Sequence, residues 1–263
     1  MNIYLFELKN QWKNTTGWII IFSVLMFVLC MGVYPIFNNS LQDIVAVISK
    51  MPAEFTKAFS FDLNSMVDFG GYYEFIFAYF SLMGAVMASS ISLSIFAREK
   101  KVKCTDFLLT KPISRQWIFT SKFLSGLTLI AIFNIIYMVL SCIFGIYFGK
   151  SLEEMILASS MMFLTQFFYY NLGILVAIFS KKIRSVSNTA SVLGFIGFIL
   201  SALYNILEIK GMRFLAPLKY FDPIQFFTTT SNEYMYMLTG IFLLILFLFV
   251  SYAKFNQEDV KAV

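Results

Sequence analysis

Apolar residues in this chain fall into long blocks separated by short polar stretches. The blocks run over residues 17–37, 72–97, 124–148, 155–179, 186–207 and 235–255. Each is about 20 residues or slightly longer, the length that carries an α-helix across a bilayer core of roughly 30 Å. The pattern predicts an all-α, polytopic membrane protein with six transmembrane helices in one domain covering residues 1–263. Residues 1–16 place Leu5, Leu8 and Trp12 at helical spacing beside Lys9 and Lys13. That spacing predicts an amphipathic helix lying on the membrane surface, too polar to span. The first block lacks a small-residue cleavage site and exceeds a signal-peptide core in length, so it is expected to remain in the mature protein.

Composition agrees with a lipid solvent: of 263 residues, 59% are hydrophobic and 13% charged, against about a quarter charged in soluble domains. The net charge of +5 sits in short loops and not on a soluble face, which argues for a membrane-surface role and against nucleic acid. The Lys and Arg flanks give an orientation. With the N-terminus inside, the inner segments hold Lys9 and Lys13, the basic run from Arg98 to Lys122, then Lys181, Lys182 and Arg184, then Lys254 and Lys261. The outer segments hold Lys50, Lys57, Lys150, Lys210, Arg213 and Lys219. The bias predicts a multi-pass protein of the cell membrane with both termini cytoplasmic.

Several chemistries are excluded or disfavoured. His is absent, which removes the commonest general base and metal ligand, and no Asp lies inside an apolar block. The three Cys, at 30, 104 and 142, have neither disulfide nor metal spacing. The Met residues are scattered through the apolar blocks as packing elements. GIYFGKS at 145–151 ends like a phosphate-binding loop but has three residues between its glycines, not four, and follows an apolar helix. Gly145 and Gly149, and Ser81, Ala85 and Ser89, instead suit close helix packing. No catalytic site or metal site is expected. Asn134, Gln166, Asn171, Asn188 and Asn205 are the polar groups inside the spans, with Glu74 and Glu208 near their outer ends. The amides are candidates for a substrate pathway or for interhelical hydrogen bonds. No chain of buried carboxylates suggests proton coupling.

Two outer segments are long. Pro52 precedes AEFTKAF, as at the first turn of a helix. Residues 208–234 contain FLAPLKYFDPIQFF, whose prolines and aromatics suit a broken interfacial helix or a loop with aromatic anchors.

The inner loop from Arg98 to Lys122 carries seven of the 20 basic residues. Residues 99–110 read as a helix with Lys100, Lys103, Phe107 and Lys111 on one side and Val102, Thr105 and Leu109 on another. Pro112 ends it, and Ser114 is placed to cap a second helix that begins at Arg115 and runs into the third span. Two rigid pieces joined by a fixed turn can be pushed as a unit.

This stretch resembles the signature of ABC-type-2 transporter permeases. The matching residues are Arg98, Glu99, Asp106, Phe107, Leu108, Leu109, Lys111, Pro112, Ser114, Arg115 and Lys122. Lys103 and Cys104 stand where the family carries Gly and Thr, which implies a more continuous helix. The resemblance implies a coupling helix between spans two and three that docks on a separately encoded ABC ATPase, with two ATPase chains and a second permease chain, identical or paralogous, in the assembly. ATP and Mg would belong to the ATPase, with no cofactor in this chain, and the cargo would leave the cell. The apolar, aromatic spans suit an amphipathic peptide, drug or lipid-like substrate. The competing reading is an ATPase-independent channel, scaffold or lipid-handling protein whose basic loop contacts anionic head groups.

Overall fold

A computed structural model describes residues 2–40, 44, 47, 48, 50–61, 66–98, 114–223 and 234–257. Among them the regular structure is helical, without strands. Six helices are long and apolar enough to cross a membrane: α1 (Ile3–Asn39), then, after the short α2 (Ala53–Ala58), α3 (Phe69–Phe96), α4 (Arg115–Tyr147), α5 (Leu152–Phe179) and α6 (Val186–Leu207), and last α8 (Tyr234–Gln257). Between the last two lie α7 (Lys210–Arg213) and a 3-10 turn at Pro217–Lys219. The expected all-α polytopic architecture is what the chain adopts.

Helix starts follow local polar chemistry. The Asp68 carboxylate accepts from Gly70 N–H, the Ser114 hydroxyl from Trp117 N–H, and the Ser185 hydroxyl from Asn188 N–H. Ser151 and Glu154 form a reciprocal capping box at the start of α5. Each satisfies an amide that a helix leaves unpaired at its first turn. Pro52 stands immediately before α2.

The centre of the bundle is the pair α3 and α5, with 67% and 61% of their most apolar stretches buried. α4 packs on α5, α1 packs on α4, α6 on α3, and α8 on α5. The outer helices α1, α6 and α8 bury only 22%, 22% and 17%, so their aliphatic faces are left for lipid. Small residues account for the close central contact. Ser81, Ala85 and Ser89 are all buried on α3. At Gly173 on α5, an added Cβ would lie 2.0 Å from Ser92 Oγ of α3. Of the glycines at 145 and 149, the first packs, with Met155 2.3 Å from a would-be Cβ, whereas Gly149 forms the turn after α4 with φ +85°.

The N-terminal segment differs from expectation. It is not a separate surface helix but the first part of α1, continuous with the first span. The face turned inward carries Glu7, Gln11 and Thr15, while Leu5 and Trp12 are 58% and 44% exposed. Tyr4 Oη lies 3.1 Å from Thr128 Oγ1 of α4, so polar contacts attach this stretch to the bundle. Further along, residues Val28–Val33 form a π-helical turn. Pro35 has no N–H to return to the preceding turn and its ring crowds the carbonyl there, and the wider turn absorbs that conflict. The Leu29 carbonyl accepts both the Tyr34 N–H and the Tyr72 hydroxyl of α3, the latter at 2.9 Å.

Contacts define two ends of the bundle. At the terminal end Glu7 meets Arg98 and Arg115 meets Asn256. At the distal end Lys57 pairs with Glu208 at 2.7 Å, Lys150 with Asp68 at 2.5 Å, and Lys219 with Asp222 at 2.8 Å. Of residues 208–234, the described part is broken as its prolines suggest: α6 ends at Glu208 in the left-handed region (φ 54°), and the chain turns through α7 and the 3-10 turn.

Candidate functional site

The basic loop singled out by sequence lies only partly within the described residues: Glu99, Asp106, Phe107, Leu108, Leu109, Lys111 and Pro112 fall outside them, as do Lys103 and Cys104. Its two flanks are described, and each is fastened to the bundle.

On the near side, Arg98 follows the end of α3. Its guanidinium forms an ion pair with Glu7 of α1 at 2.8 Å and lies 5.4 Å from the centre of the Phe6 ring. Glu7 is only 2% exposed. A carboxylate this deep is tolerated because a cation meets it. The pair crosses 91 positions of sequence, joining the N-terminal turn of the protein to the start of the loop.

On the far side, Ser114 caps α4 as its position suggested. Arg115 follows at once and donates from Nη1 to the Asn256 carbonyl near the end of α8, at 3.2 Å. Two turns further, Lys122 is buried and donates from Nζ to the Ile95 carbonyl at 2.9 Å. Ile95 belongs to the last turn of α3, where carbonyls lack helical partners and the helix dipole favours a cation. The Phe96 ring lies 5.7 Å from the same ammonium. Close by, Tyr170 of α5 donates to the Phe123 carbonyl at 3.0 Å. Gly126 of α4 admits that hydroxyl, which would lie 2.2 Å from an added Cβ.

The four described signature residues, Arg98, Ser114, Arg115 and Lys122, therefore gather at the terminal end and link α1, α3, α4 and α8. Sequence reasoning missed Glu7, an acidic residue in a segment that read as a surface helix. The available signal was its spacing with Gln11 and Thr15, a polar stripe on a helix that meets apolar neighbours.

Of the five amides proposed for a substrate pathway, the structure brings together Asn134 and Gln166 and leaves the other three apart. Asn134 donates to the Gln166 carbonyl oxygen at 2.6 Å, joining α4 to α5 in the buried interior. Asn171 donates to the Phe167 carbonyl within α5. Asn188 is exposed in the first turn of α6, and Asn205 donates to Ser60 Oγ at 3.0 Å at the distal end. Asn134 and Gln166 thus act as interhelical glue, an interaction averaging about 0.6 kcal/mol in membranes. The Oδ1 atoms of Asn134 and Asn171 are buried without a hydrogen-bond partner among the described residues.

Residues 1–260 match the model of a family described as ABC-2 family transporter protein. No curated protein matches the chain.

Proposed function

The chain belongs to the ABC-2 family of transporter proteins, membrane permeases of ABC transporters, and from that premise we propose that it is an exporter subunit driven by a separate ATPase. In this reading the terminal end faces the cytoplasm of the cell, and the loop 99–113 is the docking element. ATP and Mg stay on the ATPase, and this chain contributes a mechanical path. A second permease chain, identical or paralogous, completes the passage for an amphipathic peptide, drug or lipid-like cargo.

The observation that carries this reading is the fastening of both loop flanks. A loop held at one end would swing when pushed. Here Arg98 ties the near flank to α1 and Lys122 ties α4 to the last turn of α3. Arg115 adds α8 through the Asn256 carbonyl. Displacement of the loop would therefore reach four helices at once, because α-helices are rigid over these lengths and the contacts fix their relative positions. Glu7 serves as a positioning residue in this path.

The direct experiment is purification of the chain from its own membranes in mild detergent, with identification and counting of co-eluting chains. Co-elution of an ATPase carrying a phosphate-binding loop is expected. In the reconstituted complex, Arg115→Glu should leave ATP hydrolysis running while transport falls. A chain that elutes without any ATPase, or Arg115→Glu with transport and hydrolysis still coupled, would overturn the reading.

A further inference from the structure

The first turns of α1 turn the polarity of a surface helix inside out. Glu7, Gln11 and Thr15 are buried against the bundle, and the opposite side shows Leu5, Phe6, Lys9, Trp12 and Lys13, all exposed. At about 100° per residue those five positions fall in one stripe about 120° wide, with Lys9 near its middle. The same stripe continues along the span as the exposed Ile20, Val24 and Phe27. It is therefore one continuous lipid-facing surface, and only its first turns carry charge.

Depth decides what those charges meet. Residues 17–37 make a helix about 31 Å long, which fills a hydrocarbon core of roughly 30 Å. Lys13 and Trp12 start about 6 and 8 Å outside that core, at the level of a head-group layer roughly 5–8 Å deep, and Lys9 follows one turn further out. Tryptophan suits this layer because its ring is apolar and its N–H polar. Lys9 and Lys13 have the i, i+4 spacing at which helical side chains are neighbours, and neither has an ion pair among the described residues. Glu7, the acid of these turns, lies on the other side and meets Arg98. The lysine stems can cross the apolar surface of Leu5 and Phe6 and still carry their charges to a phosphate.

We propose that this stripe binds an anionic phospholipid, its phosphate at Lys9 and Lys13, its glycerol region at Trp12 and its acyl chains along Ile20, Val24 and Phe27. Charge complementarity and the unbroken lipid-facing surface above it together select this occupant. A lipid seated there braces the turns whose other side carries Glu7, so it supports the Glu7–Arg98 pair from outside. The assignment needs only that α1 spans the membrane, and depends neither on export nor on an ATPase.

The test is native mass spectrometry of the full chain in mild detergent, titrated with phosphatidylglycerol and with phosphatidylcholine of identical acyl chains. The anionic lipid should bind the more tightly, by a margin that narrows as salt rises. Lys9→Gln combined with Lys13→Gln should weaken phosphatidylglycerol binding roughly tenfold and leave phosphatidylcholine binding as it was, while the melting curve without added lipid stays that of the parent chain. Lys181→Gln combined with Lys182→Gln removes the same charge from exposed residues elsewhere at the terminal end, and should leave phosphatidylglycerol binding close to that of the parent. Equal affinity for the two lipids, undiminished binding in the Lys9 and Lys13 variant, or an equal loss in the Lys181 and Lys182 variant would overturn the assignment.

Discussion

The two ends of the bundle handle charge in opposite ways. At the distal end, Lys57, Lys150 and Lys219 each meet a carboxylate. At the terminal end, Lys9, Lys13, Lys181, Lys182, Arg184 and Lys254 are exposed and have no ion pair among the described residues, whereas Arg98 and Lys122 are turned inward and fastened. The positive-inside rule counts Lys and Arg and takes little account of acids, so pairing is not what orients the chain. Pairing decides what the charges can do once it is oriented. Distal lysines staple segments of this chain to each other. Terminal basic residues divide into an exposed set, open to phosphate head groups or a partner, and an internal set that holds the frame.

The largest effect that could break this contrast is at the inward pair. Removing one partner of a buried ion pair strands the other, at a cost of about 3–5 kcal/mol. Glu7→Leu should therefore lower the melting temperature in detergent sharply, followed by tryptophan fluorescence. The exchanged double variant Glu7→Arg with Arg98→Glu should recover part of the loss. Strictly additive losses across that cycle would mean that the two residues act independently.

Next in size is Lys219→Met, which takes from buried Asp222 the ammonium that meets it at 2.8 Å. An intermediate loss, about 1–3 kcal/mol, is expected, and its pH dependence sharpens the comparison. Because the folded pKa of Lys219 is raised, its contribution is fully present below the ordinary lysine value of about 10.4 and disappears as pH rises through the folded value. Parent and variant melting temperatures should converge in that alkaline window. A gap that stays constant through it would show that the ammonium charge is not what stabilises the distal segment.

Smallest of all should be Lys57→Ala. Its pair with Glu208 has side chains 47% and 66% exposed, and such surface pairs contribute about 0–1 kcal/mol. A melting curve close to that of the parent chain is the expected result. A large loss would mean that distal pairs, exposed or not, carry the same weight as the buried Glu7–Arg98 pair.

Much of the frame is legible in the sequence. The apolar blocks gave the six spans, and the fifth agrees at both boundaries, because Ser185 precedes it as a cap and the polar end at Glu208 follows. Ser114 was legible for the same reason: a capping hydroxyl acts locally. The N-terminal segment was misread because its leucines and tryptophan look like a buried stripe, yet in lipid an apolar face can point outward and a polar one inward. Glu7 and Arg98 were not joined because no local rule connects residues so far apart. The gathering of Glu74, Asn205 and Lys219 at the distal end escaped for a related reason, since they come from three separate segments and only tertiary packing makes them neighbours.

The π-helical turn at Val28–Val33 bears on how insertions and deletions in α1 would be tolerated. Before it, the inward face is Glu7, Gln11 and Thr15; across it and beyond, Met26, Cys30 and Tyr34 remain buried. The turn works as a phase adjuster between two halves of one helix. Deleting a single residue there would remove the one that the wide turn absorbs, restoring ordinary α geometry with the two halves still in phase. Deleting one elsewhere in α1 would rotate one half against the other by about 100°, and with Tyr34 and Tyr72 still engaged the polar stripe would turn away from its partners. A change of one residue in length would act on this protein as a rotation everywhere in α1 except at the wide turn.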